Sequence, residues 1–535
     1  SFGSLMGALL TLITPLVVQA SSPAKPDSSI EKRIRNLLER MTLEEKIDFL
    51  TGDRIKTNTV RAEGIKGIPR LRIPKYLIVH GPCGLKGRYP SANQKLVNGT
   101  WFSSSIMLAS SWNPQLVQTV LSAMGYEMKR AGASANAGPS LNIIRDPRGG
   151  RSFEYFTEDP YLNGRMAVAY VKGLQSQKVM ATLKHFVCNN QECNRNVINV
   201  KVSERALREI YLPGFRDAIV EGQAASVMAA YNRLNGIYCC ENAFLLSKVL
   251  RDEWGFQGFV MSDWRATHST EQTAMAGLNL EMPTERWYGR KMLAAVKQGK
   301  ISKQLVDKLV SDILRMMIKF GVFEEAPGRS EIASQRPDCV AVARRAAEEE
   351  IVLLKNEGNL LPLDAGQLSS LAVIGPNGEY GPHFNAGDYD STLVQGGGSA
   401  HAPVSRQQVV TIFQGLQEKL GTKIKVTYAP GCYAETGCGP IPARYLRTPD
   451  GKHQGLELKF YENARGEGKP VQTAIVKYVR QKRGKKLDIP QENNPPKNVK
   501  RVFWEWNAIL DVPTTREYTF ELRGSGGPAK LYING

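Results

Sequence analysis

Beyond its first 20 residues the chain has no segment apolar enough to span a bilayer, so no stable membrane span is expected after that point. No nucleic-acid recognition motif accompanies its formal charge of +19, and no nucleic-acid partner is expected. Lys and Arg are mostly scattered. The densest run, Lys477 to Lys486, reads as a solvated loop or strand edge. The eight cysteines lack the spacing of a zinc site. Cys239 and Cys240 are adjacent and cannot bridge each other without strain. Cys432 and Cys438 enclose a short loop and are the best candidate pair, while most of the others read as buried thiols.

What is present begins with "LMGALLTLITPLVVQASS", an apolar stretch of signal-peptide length that ends in small residues with a Val18-Gln19-Ala20 cleavage pattern. The positive n-region is missing and the chain starts at Ser1. The expectation is a clipped signal peptide over residues 1–20 and export to a periplasmic or extracellular space. Pro15 and the brevity of the run argue against a spanning helix. Asn98-Gly99-Thr100 fits a glycosylation sequon. With 535 residues, 42% hydrophobic and 23% charged, the chain has material for two to four globular domains.

After a Pro/Ser linker the pattern turns helical. Ser28 to Glu31 and Thr42 to Glu45 both fit a capping box, with Gly52 as a stop. From there to about Phe320, short apolar strands alternate with amphipathic helices. The strands are "YLIVH", "VMATLKHF", "ASVMAAYN" and "FQGFVMSDW"; "ERALREIYLPGFRDAIVEG" is one of the helices. Such repetition over about 250 to 300 residues predicts a multidomain α/β protein opening with a (β/α)8-type, TIM-like barrel, residues 28–325. A linker, 326–338, leads to the first part of an α/β sandwich domain, 339–439, with strands "LAVIGP" and "KIKVTYA" and a helix around Ile412 to Leu420. Residues 440–535 alternate apolar and polar in "LELKFYE" and "EYTFELR", as a β-sandwich insert would. The insert and the α/β domain both read as incomplete, so the chain is expected to be truncated at its C-terminus.

One stretch, "DEWGFQGFVMSDWRATHST", poses a chemical question. An apolar run, Phe259-Val260-Met261, ends on Asp263, and burying an unpaired carboxylate is expensive. Either Asp263 caps the following helix or it faces a cleft. His80, Lys184, His185 and Tyr231 also fall at strand ends, which in a barrel converge on one face.

Four stretches, "RDPRGGRSFEYFTEDPYL", "TLKHFVCNNQE", "VMAAYNRLNG" and "LRDEWGFQGFVMSDW", together resemble glycoside hydrolase family 3, the β-glucosidase and β-xylosidase family; "LLKNEGNLLPL" and "GGGSA" fit it too. The terminal β segment resembles the protective-antigen-like insert of some members. The resemblance implies a retaining exo-acting glycosidase that removes terminal β-linked glucose or xylose from an oligosaccharide or glycoside, without metal or cofactor. Such enzymes place two carboxyl groups about 5 to 5.5 Å apart. Asp263 is the implied nucleophile; Arg151, Lys184 and His185 are implied to grip sugar hydroxyls, with Trp264, Tyr231 and Met228 as the wall. Each residue has a plainer reading: a helix cap for Asp263, a salt bridge to Glu154 or Glu158 for Arg151, a supporting pair for Lys184 and His185, core packing for Trp264.

Two departures from the family pattern bear on activity. His80 stands where an Asp that accepts sugar hydrogen bonds is usual, and Lys86 where Arg is usual. Losing a bond to a charged acceptor costs about 1.5 to 3 kcal/mol. A degenerate, non-hydrolytic carbohydrate-binding homologue is therefore the alternative reading. The general acid/base is implied to be a Glu beyond this chain's end; Glu192 and Glu281 lie near barrel strand ends but are not assigned the role. Cys188, where small residues are usual, is a minor change.

Overall fold

The computed structural model describes residues 27–55, 62–85, 99–324, 337–375, 377–379, 409–429, 431, 443–461, 463, 467–476, 503–511 and 532. The leader, Lys86, Asn98 of the sequon, the segment 325–336, "GGGSA", the Cys432–Cys438 loop, the Lys477 to Lys486 run and "EYTFELR" lie outside the described residues. The chain divides into two compact units, residues 1–364 with 382–410, and residues 365–381 with 411–535.

The first unit opens with helices α1 (Ser28–Arg40) and α2 (Leu43–Phe49). The capping box at Thr42 and Glu45 forms as the sequence suggests. The one at Ser28 does not: Asp27 caps α1, its carboxylate accepting from the Ser29 N–H, and Ser28 is already helical. Asp is as good a cap as Ser and lies one residue earlier. Gly52 is not a helix stop either, because α2 ends at Phe49. A side chain at Gly52 would lie 2.6 Å from Met282 Sδ and 2.8 Å from the Pro283 carbonyl, so the glycine permits a close backbone approach.

Strands β1 (Asp53–Ile55), β2 (Ala62–Ile65), β3 (Tyr76–Val79), β4 (Ala135–Asn136), β5 (Met180–Phe186), β6 (Ser226–Ala229) and β7 (Phe259–Ser262) form one sheet in sequence order. From β3 to β7 every pairing is parallel. Single bridges, Met261 with Leu280 and Thr51 with Glu281, carry the curl from β7 round to the chain before β1. Every residue of β5, β6 and β7 is buried, as parallel strands covered on both faces must be. The predicted strands at 76–80, 179–186, 225–232 and 256–264 correspond to β3, β5, β6 and β7. The eightfold regularity does not extend to the start of the sheet: β2 runs antiparallel to both β1 and β3. Gly64, Gly67, Pro69 and Pro74 punctuate that stretch and leave no room for a crossover helix.

Helices α3 (Ser105–Ser110), α4 (Pro114–Arg130), α5 (Pro160–Ser176), α6 (Pro213–Val220), α7 (Glu271–Ala276), α8 (Arg290–Lys297), α9 (Lys303–Lys319) and α10 (Pro337–Glu350) complete the unit's main helices. The helix expected across residues 204–222 is interrupted. Pro213 has no N–H to give, and before it the Leu212 N–H reaches back five residues to Leu207 at 2.9 Å, a π turn. Of the six described cysteines, Cys83, Cys188, Cys239, Cys240 and Cys339 are buried thiols and Cys193 is exposed. No helix among the described residues is long and apolar enough to cross a membrane.

In the second unit β8 (Ser370–Ile374) pairs in parallel with β9 (Lys425–Ala429), with α11 (Ile412–Leu420) between them in sequence. A separate antiparallel sheet has β11 (Leu456–Tyr461) between β12 (Gln472–Val476) and β13 (Phe503–Asn507), with Leu458, Phe460 and Val476 buried together. A short β10 (Leu446–Arg447) pairs antiparallel with β14 (Ile509–Leu510).

Glu281 lies where the sheet curls round. Its backbone pairs with Leu50 and Gly52, and its buried carboxylate accepts from Thr267 Oγ1 and from the N–H groups of Arg286, Trp287 and Tyr288 at 3.0, 3.0 and 2.8 Å. Leucine there leaves those amides unsatisfied, so Glu281→Leu is expected to lower stability by roughly 3 kcal/mol or more. Denaturant unfolding followed by tryptophan emission checks this; Glu281→Gln, which keeps one acceptor, should lose less.

Candidate active site

Because β3 to β7 are parallel, their C-terminal ends open on one side. β3 runs out into His80, β5 carries Lys184 and His185 as its penultimate pair before Phe186, β6 delivers Met228 and, three residues on, Tyr231, and β7 is followed at once by Asp263 and Trp264. Arg151 and Glu154 come from a turn between β4 and α5. All of these residues line one cavity of about 450 Å³, together with Gly150, Phe153, Glu192 and Arg195. That is the size of a small-molecule site.

Asp263 forms part of its floor and is 6% exposed. It caps no helix, since α7 begins at Glu271. One oxygen, Oδ1, accepts the Trp264 backbone N–H at 2.7 Å. The other, Oδ2, is buried with no hydrogen-bond partner among the described residues. The Tyr231 phenol lies beside the carboxylate. Burial, then the Asp263 carboxylate, pushes its pKa up, so it stays protonated.

His185 Nε2 stands 3.5 Å from Asp263 Oδ2, yet the two do not form an ion pair. Burial first, then the charges of Arg151, Lys184 and Arg195, hold the imidazole pKa well below its usual value, so the ring is neutral. Arg151 Nη1 lies 3.0 Å from Nε2 and can only donate, which makes Nε2 the acceptor and places the ring proton on Nδ1, facing Asn142 Oδ1 at 3.3 Å. Two acceptors therefore face each other across the 3.5 Å gap, and Oδ2 gains nothing from the ring.

Two cations of the site, Arg151 and Lys184, are held by a second carboxylate. Arg151 grips Glu154 in bidentate fashion, Nε to Oε1 at 3.0 Å and Nη2 to Oε2 at 2.5 Å. Lys184 Nζ lies 3.8 Å from the same oxygen, and Ser140 Oγ 3.4 Å. Burial would raise the Glu154 pKa; Arg151 and then Lys184 overcome it and hold the carboxyl below its usual range. The salt bridge between Arg151 and Glu154 that is the plainer sequence reading thus exists, and Arg151 lines the cavity as well.

Arg195 and Glu154 were not singled out as site residues by the sequence argument. Arg195 lies over the Tyr231 ring at 4.3 Å from its centroid and pairs with Glu192 at 2.5 Å. Its signal was its place in the same loop as Glu192, three residues on. Glu192 also accepts from Asn189 at 2.9 Å. Glu281 does not line the cavity; its carboxylate is occupied by the turn it holds. His80 packs beside Trp264, ring centroids 4.7 Å apart.

Residues 86–316 match the N-terminal domain of glycosyl hydrolase family 3, and residues 351–501 match the C-terminal domain of the same family. A β-glucosidase of Rhizobium radiobacter is 40% identical over 403 residues, 75% of this chain and 46% of that protein. An exo-α-(1→6)-L-arabinopyranosidase of Bifidobacterium breve is 37% identical over 406 residues, 73% of this chain and 50% of the relative. Among solved structures, β-glucosidase 3B of Thermotoga neapolitana in complex with α-D-glucose superposes with a TM-score of 0.66 at 37% identity, covering 74% of this chain and 55% of that one. The chain spans about half the length of these curated relatives.

The neutral His185 has a consequence for stability. Above about pH 6.5 the imidazole is unprotonated in both the folded and the unfolded chain and contributes no pH dependence. Below it, the unfolded chain binds a proton that the folded site refuses, so stability falls as pH falls, by up to about 1.4 kcal/mol per pH unit from this residue. Glu154, held low, adds its own loss only below about pH 4.3. Unfolding free energies of wild type and His185→Gln between pH 7 and 5 should differ in slope by up to about one proton.

Proposed function

Because the chain belongs to glycosyl hydrolase family 3, we propose that it is a retaining, exo-acting β-glycosidase that removes terminal β-linked glucose or xylose through a covalent glycosyl-enzyme on Asp263. The observation that carries this reading is Oδ2 of Asp263: buried, without a hydrogen-bond partner among the described residues, and facing a cavity whose cations are engaged elsewhere. A carboxylate in that state is a poor structural element and a competent nucleophile.

On this reading Oδ2 attacks the anomeric carbon as the bond to the leaving oxygen breaks, and a general acid supplies the proton that oxygen takes. Water then attacks the same carbon, its proton passing back to the group that served as acid, and the bond to Asp263 breaks. Arg151, Lys184 and His185 bind hydroxyls of the sugar, and Trp264, Tyr231 and Met228 wall its ring. Glu192, engaged by Arg195 and Asn189, and Glu281, engaged by its turn, are not assigned the acid's part. The family resemblance puts that group on a Glu of the α/β domain. We take the curled sheet for a variant (β/α)8-type barrel, residues 28–325, followed by a linker (326–338), an α/β sandwich portion (339–439) and a protective-antigen-like insert (440–535). Residues 1–20 serve as the leader of an exported protein.

The names of the relatives support two sugar classes, glucosides and arabinopyranosides. A non-hydrolytic, carbohydrate-binding role is the second reading, favoured by one observation: His80 lines the cavity at the position where an acidic residue is usual.

An activated 2-deoxy-2-fluoro-β-glucoside or xyloside, whose leaving group needs no protonation, should label Asp263 as found by peptide mass spectrometry. Asp263→Ala should abolish labelling and reduce turnover of the same activated glycosides by roughly 10⁴-fold or more. Label on another residue, or none in folded protein, counts against the enzyme; calorimetric sugar binding without label favours the second reading.

A further inference from the structure

Glu63 is a buried carboxylate to which the reaction above gives no part. It lies on β2 opposite Ile78 of β3 and is 5% exposed. Side chains two apart along an extended chain share a face, so His80, two residues beyond Ile78, projects on the side of Glu63. The contacts agree. Glu63 Oε2 accepts a hydrogen bond from Trp264 Nε1 and lies 3.4 Å from His80 Nε2. An indole N–H can only donate, so Trp264 in this orientation requires an acceptor where Glu63 supplies one. The indole and imidazole rings also pack on each other, at 59° between planes.

Trp264 is held at two ends. Its ring is anchored to Glu63, and its backbone N–H is bonded to Asp263 Oδ1. A rotation of the indole therefore disturbs both the wall and the peptide next to Asp263. His80, on the adjoining wall, shares the same anchor. Residues from β2 and from just beyond β3 and β7 thus meet at one carboxylate oxygen.

We propose that Glu63 is a positioning residue of the sugar cavity: it sets the orientation of Trp264 and His80, and through them the fit of the sugar against Asp263. The proposal rests on the glycosidase reading and adds to it the residue that ties the two walls together. Glu63 touches no substrate in this scheme. Its effect falls on ring binding, and its loss should raise the half-saturation constant for a glycoside more than it slows the chemical step.

The test measures inactivation of the full chain by the activated 2-deoxy-2-fluoro glycoside, separating the half-saturation constant from the limiting rate. Glu63→Leu is expected to weaken half-saturation about tenfold while changing the limiting rate less. It should also shift the emission of Trp264, read as the difference from Trp264→Phe. Glu63→Gln keeps an oxygen for the indole and should restore the emission and most of the affinity. The double variant Glu63→Leu/His80→Gln should be less damaged than the product of the single effects. Unchanged half-saturation in folded Glu63→Leu, a glutamine variant as damaged as the leucine one, or independent multiplication of the two substitutions overturns the proposal. Should Glu63→Leu fail to fold, Glu63→Asp carries the test, since it keeps the charge but withdraws the oxygen from both rings: about fivefold weaker half-saturation supports the role, and no change refutes it. A wild type that takes no label at Asp263 refutes the glycosidase reading instead. The emission comparison needs no turnover and then still decides whether Glu63 holds Trp264.

Discussion

The bidentate pair between Arg151 and Glu154 governs the state of everything around it. A buried guanidinium seeks a carboxylate, and three are within its neighbourhood: Glu154, Glu192 at 3.8 Å, and Asp263. Glu154 takes it in fork geometry, and Lys184 lies within 3.8 Å of the same oxygen. What remains of Arg151 reaches His185 and fixes that ring as an acceptor. Asp263 is thereby surrounded by positive charge and yet has one oxygen without a bond. On the path proposed here, cations released from Glu154 would be free to pair with Asp263, and a satisfied carboxylate is a weaker nucleophile.

The scaffold makes that arrangement reachable. None of the groups concerned is close in sequence to all the others; they come from β3, the turn before α5, β5, β6 and β7. Parallel strands in sequence order bring their ends to one side, and complete burial of β5, β6 and β7 fixes those ends in place. At the curl between β7 and β1, Glu281 holds a turn with its carboxylate and pairs its backbone with the chain beyond α2.

Strands β3, β5, β6 and β7 were legible in the sequence because each is a compact apolar run closed by polar residues, and so was α11, whose bounds are those read from the pattern. The antiparallel start was not, because β1 and β2 are too short to show a period. Gly52 misled because a glycine after a helix usually marks its end, whereas here it admits Met282 and Pro283. At the cavity, motif order brought out eight lining residues by name. Glu154 was visible only as a salt-bridge partner, and Glu63 not at all. Glu154 stands three residues from Arg151 and so shows as a local pair, whereas Glu63 meets a residue 201 positions away, and no local pattern announces such a contact.

The two oxygens of Asp263 differ in kind, because the Trp264 amide binds only one of them. On the path proposed here the sugar joins Oδ2, and Oδ1 becomes the carbonyl oxygen of an ester. The amide that had steadied a carboxylate then polarises that carbonyl. When water displaces the sugar, negative charge returns to a group already facing its donor. One peptide N–H would in this way ease the departure of the very carboxylate whose attack it had oriented, serving both halves of the cycle without moving.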